Sequence, residues 1–402
     1  MDGATPAVNS PVVVERAGDS IAPRARGLQV FYAFNDSAQR RAALRTPAGS
    51  AERYCLFGLD QHVSVGVRAR HNLEREGPPA AWARIAGRIV NDTVSRLGGY
   101  GGDFGGVFDA LGPAREADVV FSTVDTVGIP LVALRGARLL CAPILYAAIG
   151  LPERLATLRT QAVQRVFARA LGAAAAIVAY SRYEVDQLER WLTKQGCAVP
   201  VVFVPFGVDT DYFRPLSAVA PEVDVVSIGR DPFRDFGLLI EQAARLPRRR
   251  FRIVTTGERR RALTRLPPNV EVEADISFDL IRQRLAAARV VALPIRPNTY
   301  SGATTVLLQA MAIGRPIVVS RTEAIASGYG LSHQDNCLLV EPGDREGFER
   351  SVLDLLSDDH GAMRLGGRAR DTTVRSLSWQ RYTDTLLGLI LDAAGRHGVN
   401  RP

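Results

Sequence analysis

RPNTYSGATTVLLQAMAIGRPIVVS, residues 296–320, decides how this chain is read. The order is that of a strand end, a tight polar turn, a helix and a second buried strand. Gly302 lets the backbone approach a ligand closely, and the amides near Ala303, Thr304 and Thr305 sit where a helix opens with unpaired N–H groups. Those groups and the helix dipole favour an anion. Gln309 follows about one and a half turns further on, on the polar side of the helix. The same residues also suit a helix capped by Ser301 or Thr304 with a solvated Gln309.

Working outward, apolar runs alternate with segments of helical spacing on both sides of this stretch. LQVFYAF (28–34), YCLFGL (54–59), ADVVFST (117–123), LLCAPILY (139–146), AAIVAYS (175–181) and VPVVFVPF (199–206) read as strands. Segments such as AWARIAGRIVNDTVSRL and LATLRTQAVQRVFARAL between them read as helices. After GVDTDYFRPLSAVAPEV (207–223) the rhythm restarts with DVVSIG, FRIVTT, VEVEA, VVALPI, PIVVS and CLLVEP. The expected fold class is therefore α/β, with two Rossmann-like domains facing each other across a cleft. The expected boundaries are an N-terminal arm at 1–26, a first α/β domain at 27–210, a second at 211–377 and a closing helix at 378–402. That helix is expected to pack back on the N-terminal domain. Ligands of parallel sheets collect at the carboxyl ends of the strands, which here means the interdomain cleft.

Composition narrows the class. Of 402 residues 47% are hydrophobic and 23% charged, as in ordinary globular proteins. No apolar run reaches the ~18 residues of a membrane span, and the first residues do not read as a secretory signal, so a cytoplasmic location is expected, at most at the inner membrane surface. Four cysteines lie far apart without a CxxC pair, which points to neither zinc nor disulfides. The net charge of +8 is almost wholly arginine, since Lys194 is the only lysine. The clusters Arg248–Arg250 and Arg259–Arg261 lack interleaved aromatics. They read as solvated faces rather than a nucleic-acid site, with peripheral contact to an anionic membrane left open.

SIGRDPFRDFGLLIEQA places Gly229 and Arg230 at a strand end and Arg234 in a short loop before a helix. Two arginines in one loop can clamp a diphosphate, since a charge-assisted donor contributes roughly 1.5–3 kcal/mol. They equally suit a turn of exposed arginines alternating with Asp231 and Asp235.

Taken in order, SRYEVDQL, VFVPFGVDTDYFRP, SIGRDPFRDFGLLIEQA, NVEVEADISFDLIRQRLAAARVVALPI, SGATTVLLQAMAIGRPIVVS, NCLLVEPGD and SWQRY resemble the retaining glycosyltransferases of family 4, which have the GT-B arrangement. The resemblance is strong over about residues 175–385 and elsewhere rests on the α/β rhythm alone. It implies that Gly229 and Arg230 match the family's GR and that Arg234 replaces its usual lysine, with both arginines acting on the donor diphosphate. Asp275 matches the loop near the base, and Gly302, Ala303, Thr304 and Thr305 match the amides beneath phosphate and sugar. Ser301 and Gln309 occupy the two ends of the Glu-x7-Glu motif. Gln309 keeps an acceptor for a ribose hydroxyl, whereas Ser301 lacks a carboxylate's reach. A thymidine nucleotide, with one ribose hydroxyl fewer, would depend less on that carboxylate.

The chain departs from the family elsewhere too. FGVD stands for NGVD, with Phe206 before Gly207, and NDSAQRR follows the first strand where a Gly-Gly loop is usual. The glycine-rich GGYGGDFGG (98–106) reads as a flexible surface loop or as part of an acceptor pocket with Asp103. Tyr146 stands near the place of a donor-contacting histidine.

The resemblance implies metal-independent transfer of a hexosyl group from a nucleotide-diphosphate sugar, as co-substrate rather than cofactor, to a hydroxyl of a small-molecule, glycan or lipid-linked acceptor. The altered glutamates leave open a catalytically silent relative that binds nucleotide or serves as a partner subunit. Another GT-B enzyme, an epimerase or phosphorylase, fits the SGATT and NCLLVEPGD context less well.

Overall fold

The computed structural model describes residues 21–216, 218–299 and 302–398. Two six-stranded sheets, parallel throughout, carry the fold. The first holds β1 (Gln29–Ala33), β2 (Arg68–His71), β3 (Val119–Ser122), β4 (Ile144–Ala147), β5 (Ala176–Ala179) and β6 (Val201–Phe203), in the order β2-β1-β3-β4-β5-β6. The second holds β7 (Val223–Ile228), β8 (Phe251–Thr255), β9 (Val270–Ala274), β10 (Ala288–Leu293), β11 (Ile317–Ser320) and β12 (Leu338–Val340), in the order β12-β11-β10-β7-β8-β9.

Helices cover both faces of each sheet, so the central strands have no solvated side and read as continuous apolar runs. VVFS, ILYA and AIVA are buried at every position. Alternation along the strands divides them between two cores. Phe31, Val120, Ile144 and Ile177 face one way and Tyr32, Phe121, Leu145 and Val178 the other. The second core is completed by the last helix, Trp379–Gly398, through Leu386, Leu387, Ile390 and Leu391. At about 1.5–3 kcal/mol for each buried aliphatic side chain, these contacts make that helix part of the N-terminal domain.

Three local readings are corrected. YCLFGL is not a strand. Ala51–Leu56 form a 3-10 helix, Phe57 and Gly58 take left-handed φ of 53° and 85°, and Leu59–Ser64 turn into an α-helix. The strand that does pair beside β1 is Arg68–His71, whose RARH has alternating exposure, as a sheet edge requires. The glycine-rich stretch is not a loose surface loop either. A Cβ on Gly87 would fall 2.4 Å from the Gly105 amide, and one on Gly102 would fall 2.5 Å from the Thr126 carbonyl. The glycines let the Ala81–Arg96 and Phe104–Asp109 helices meet backbone to backbone.

The chain passes between the domains twice, side by side. Val208 N–H donates to Leu377 O at 2.9 Å and Trp379 N–H donates to Val208 O at 2.8 Å. Gly207 lies so close that a Cβ there would be 2.7 Å from Ser378 O. Phe206 fills the joint with a cluster formed by Tyr54, Phe57, Tyr180, Trp379 and Tyr382.

Candidate functional site

In the second sheet β7 lies between β10 and β8, so strand order reverses between β7 and β10. Loops leaving the carboxyl ends of two such strands diverge and open a crevice. The loop after β7 carries Gly229–Asp235, and the segment after β10 leads into the Thr304–Ile313 helix. Backbone hydrogen bonds tie them together, Asp235 N–H to Pro294 O at 3.0 Å and Arg296 N–H to Phe233 O at 2.8 Å.

Within that loop the structure divides the expected pair of arginines. Arg230 is exposed at the seam. Its charge reaches Tyr54 of the facing domain, whose phenol is held above its ordinary pKa mainly by burial and lowered in part by Arg230. Arg234 instead folds inward and is 2% exposed. Its side chain lies on Gly229, where a Cβ would fall 2.1 Å from Nε, so only glycine fits. Asp231 Oδ2 is 3.2 Å from Nε as an ion pair, yet none of the guanidinium nitrogens has a hydrogen-bond acceptor. Burial brings the Arg234 pKa down to about 10, with Asp231 opposing and Arg259 adding to the fall. Arg259 holds the loop from below, donating to Asp231 O at 2.6 Å and to Arg234 O at 3.2 Å. Asp235 caps the next helix by accepting from Leu238 N–H at 3.1 Å.

Ala303 occupies the N-cap of the Thr304–Ile313 helix and offers no side-chain acceptor to the first turn. Thr304 is the first helical residue and does not serve as the cap. Ser301 lies outside the described residues. The expected polar side for Gln309 does not exist on this helix, since Leu307 to Ile313 are all buried. Gln309 is a buried polar side chain facing the seam.

A cleft open to solvent lies at this seam. Thr305, Gln309 and Phe278 line it from one domain, and Ser50, Arg53, Tyr54, Asp60 and Gln61 from the other, with Phe206–Asp209 at its end. Arg230 and Arg234 are not among its walls. Tyr54 stacks across the seam on Phe278, with centroids 5.4 Å apart at 19°. Tyr212 continues the column at 5.5 Å, and Arg282 covers it at 4.3 Å. Nearby, Thr299 Oγ1 donates to Glu153 Oε1 at 2.6 Å and joins the domains. Sequence reasoning missed Tyr54, Asp60 and Gln61 because their segment resembled a strand.

The remaining expected residues lie elsewhere. Asp275 has a left-handed φ of 51°, and its Oδ2 accepts from Gly257 N–H at 2.8 Å, so it ties the turn after β9 to the start of the Gly257–Ala262 helix that follows β8. Asp103 is spent on capping the Phe104 helix, accepting from Gly106 N–H at 2.8 Å. Tyr146 is fully buried and donates its hydroxyl to Asp125 at 2.6 Å. Asp125 also accepts from Arg154 Nε at 2.8 Å. Neither Asp103 nor Tyr146 lines this cleft, and both side chains are already engaged within their own domain.

Two facing Rossmann-like domains with the crevice at their common seam define the GT-B architecture. Residues 222–358 match the family described as Glycosyl transferases group 1. Over 171 residues the chain is 32% identical to the lipopolysaccharide core biosynthesis glycosyltransferase LpsE of Rhizobium meliloti (strain 1021), covering 41% of this chain and 49% of that protein. Over 193 residues it is 28% identical to the MMP alpha-(1->4)-mannosyltransferase of Mycolicibacterium hassiacum, covering 44% of each. The matches thus span about half the length of these curated relatives. Among solved structures, sucrose-phosphate synthase from Thermosynechococcus elongatus superposes with a TM-score of 0.71 at 16% identity, over 92% of this chain and 100% of that one. Anabaena HepE in complex with UDP-glucose superposes at 0.60 and 17% identity, over 90% of this chain and 100% of that one.

Proposed function

We propose that the protein is a glycosyltransferase that moves a hexosyl group from a nucleotide-diphosphate sugar to an acceptor hydroxyl with retention of configuration and without a metal. The observation that carries this reading is Arg234. A guanidinium buried with unpartnered nitrogens costs about 1–3 kcal/mol for each unmade hydrogen bond. It stands in the switch-point loop, beside the lead-in to a helix whose first turn has no side-chain cap. Donors held in that state suit an anion that accepts from them, and a diphosphate is the anion for which such loops are shaped.

The leaving diphosphate is stabilised by the cation at Arg230, by Arg234 beneath Gly229, and by the amides at Gly302–Thr305. The acceptor hydroxyl attacks the face that the diphosphate leaves, and its proton passes to the departing phosphate oxygen. The protein's share is positioning and electrostatic stabilisation. Gln309 Oε1 accepts from a ribose hydroxyl. Gln61, on the opposite wall of the cleft, presents an amide to the acceptor, and Asp60 beside it is held by Arg53 through hydrogen bonds of 2.5 and 2.7 Å.

The test is calorimetric binding of UDP, GDP and TDP sugars, followed by donor hydrolysis or transfer with purified protein. Binding with turnover, both lost in Arg234→Ala, is expected. Binding without turnover favours the silent relative, for which the replaced glutamates speak. Failure of every nucleotide to bind refutes the proposal.

A further inference from the structure

We propose that the outer face of the Ala81–Arg96 helix docks the protein on the surface of an anionic lipid bilayer. The sequence AWARIAGRIVNDTVSR puts Trp82, Ile85 and Ile89 at i, i+3 and i+7, on one side of the helix. The other side, with Ala83 and Gly87, is held against the Phe104–Asp109 helix, and at Gly87 the two backbones touch. Packing therefore fixes the helix with its apolar stripe outward. Trp82 is 61% exposed, Ile85 62% and Ile89 61%. Scattered exposed apolar residues are ordinary, but a contiguous stripe with a tryptophan at one end marks a contact surface. Leu97 extends the patch past the end of the helix. Val166 is likewise exposed on the Gln161–Leu171 helix, whose Phe167 lies against Gly99 just past the end of the first helix.

Charge complementarity selects the occupant. Arg84, Arg88 and Arg96 are exposed on the first helix, Arg165 and Arg169 on the second, and Arg159 just before it. Among the described residues none of these six forms an ion pair. Asp92 is the sole acidic residue in the two helices. A planar apolar stripe flanked by unpaired arginines is the pattern of a helix lying in a membrane interface, where tryptophan favours the headgroup level and each basic side chain is drawn to anionic lipid. Among the described residues no helix is long and apolar enough to cross a membrane. The arginine clusters singled out in the sequence are on the other domain, and two of their members are already engaged, Arg249 with Asp224 and Arg259 with loop carbonyls.

The experiment is co-sedimentation of the full chain with vesicles of phosphatidylcholine alone and of phosphatidylcholine with an equal part of phosphatidylglycerol. Fluorescence is read in parallel, because Trp82 is the exposed one among Trp82, Trp191 and Trp379. Binding to the anionic vesicles, a blue shift, and weakening with salt are expected. The exposed double variant Ile85→Ser/Ile89→Ser should bind roughly tenfold or more weakly, with its thermal midpoint and nucleotide affinity unchanged. Arg84→Glu/Arg88→Glu should abolish the preference for anionic lipid. Absence of binding by the unsubstituted chain, or undiminished binding by the serine variant, overturns the proposal. So does lipid-free self-association that the serine variant abolishes, which would give the face to a second copy. None of these results depends on catalysis, so failure here leaves the proposed transferase reaction standing, and the reverse holds.

Discussion

Arg234→Met, combined with Asp231→Asn, separates stability from ligand binding. The Arg234 pKa falls from 12.5 to about 10 on burial. At about 1.36 kcal/mol per pH unit, the buried cation costs roughly 3 kcal/mol relative to the unfolded chain. Because the folded value is the lower one, that cost is present in full below about pH 10 and fades only above it. Methionine has a similar length and no charge, so it removes the cost and leaves Asp231 without its partner, at 9% side-chain exposure. Pairing Arg234→Met with Asp231→Asn removes that second penalty. The double variant should be as stable as the parent or more so, by up to about 3 kcal/mol in urea unfolding. Nucleotide-diphosphate affinity should fall by roughly 10- to 150-fold, the equivalent of one charge-assisted hydrogen-bond set of about 1.5–3 kcal/mol. A folded variant that binds nucleotide as tightly as the parent would refute the diphosphate role of Arg234. A variant that unfolds by several kcal/mol would refute the view that the cation is kept at a cost to stability.

Other perturbations follow from the same geometry. Gln309→Glu places a carboxylate against the ribose and should tighten uridine and guanosine diphosphate sugars by about tenfold in calorimetry, with a smaller gain for thymidine; equal gains for all three would remove Gln309 from the ribose. Gly207→Ala drives a methyl to within 2.7 Å of Ser378 O and Tyr382 Cβ and should cost about 1–3 kcal/mol in denaturant unfolding. His62 is buried between the Tyr32 hydroxyl at 2.6 Å and Thr383 O at 2.9 Å, and burial lowers its pKa to about 4. Its folded value is depressed, so it removes stability as pH falls from about 6.5 to about 4. Burial raises Glu184 to about 7, so Glu184 removes stability as pH rises from about 4.5 to about 7. The two slopes oppose each other, and unfolding profiles should tilt in opposite directions in His62→Gln and Glu184→Gln, each by up to roughly 3 kcal/mol across its window.

Regular repetition made most of the fold legible. Runs such as ADVVFST and PIVVS carry the β-branched density of doubly covered strands, and eleven of the twelve runs read as strands overlap one. YCLFGL misled because apolar content alone does not reveal Phe57 and Gly58 turning left-handed. RARH hid because an edge strand needs no apolar run. For the site, residue types pointed to the β7 loop and the Thr304 helix, and both meet at the switch point. The inward fold of Arg234 could not be read locally, because it depends on Gly229, Asp231 and Arg259 together. Tyr146 and Asp103 were assigned by position along the chain, while their side chains are committed to Asp125 and to a helix start.

The paired chain passages at Val208 and Ser378 have a mechanical consequence. Two adjacent covalent straps, hydrogen-bonded to one another and packed with aromatic rings, resist sliding and twisting but still admit a swing about their shared line. Any parting of the two halves would have to turn about that line and break the Thr299–Glu153 hydrogen bond across the seam.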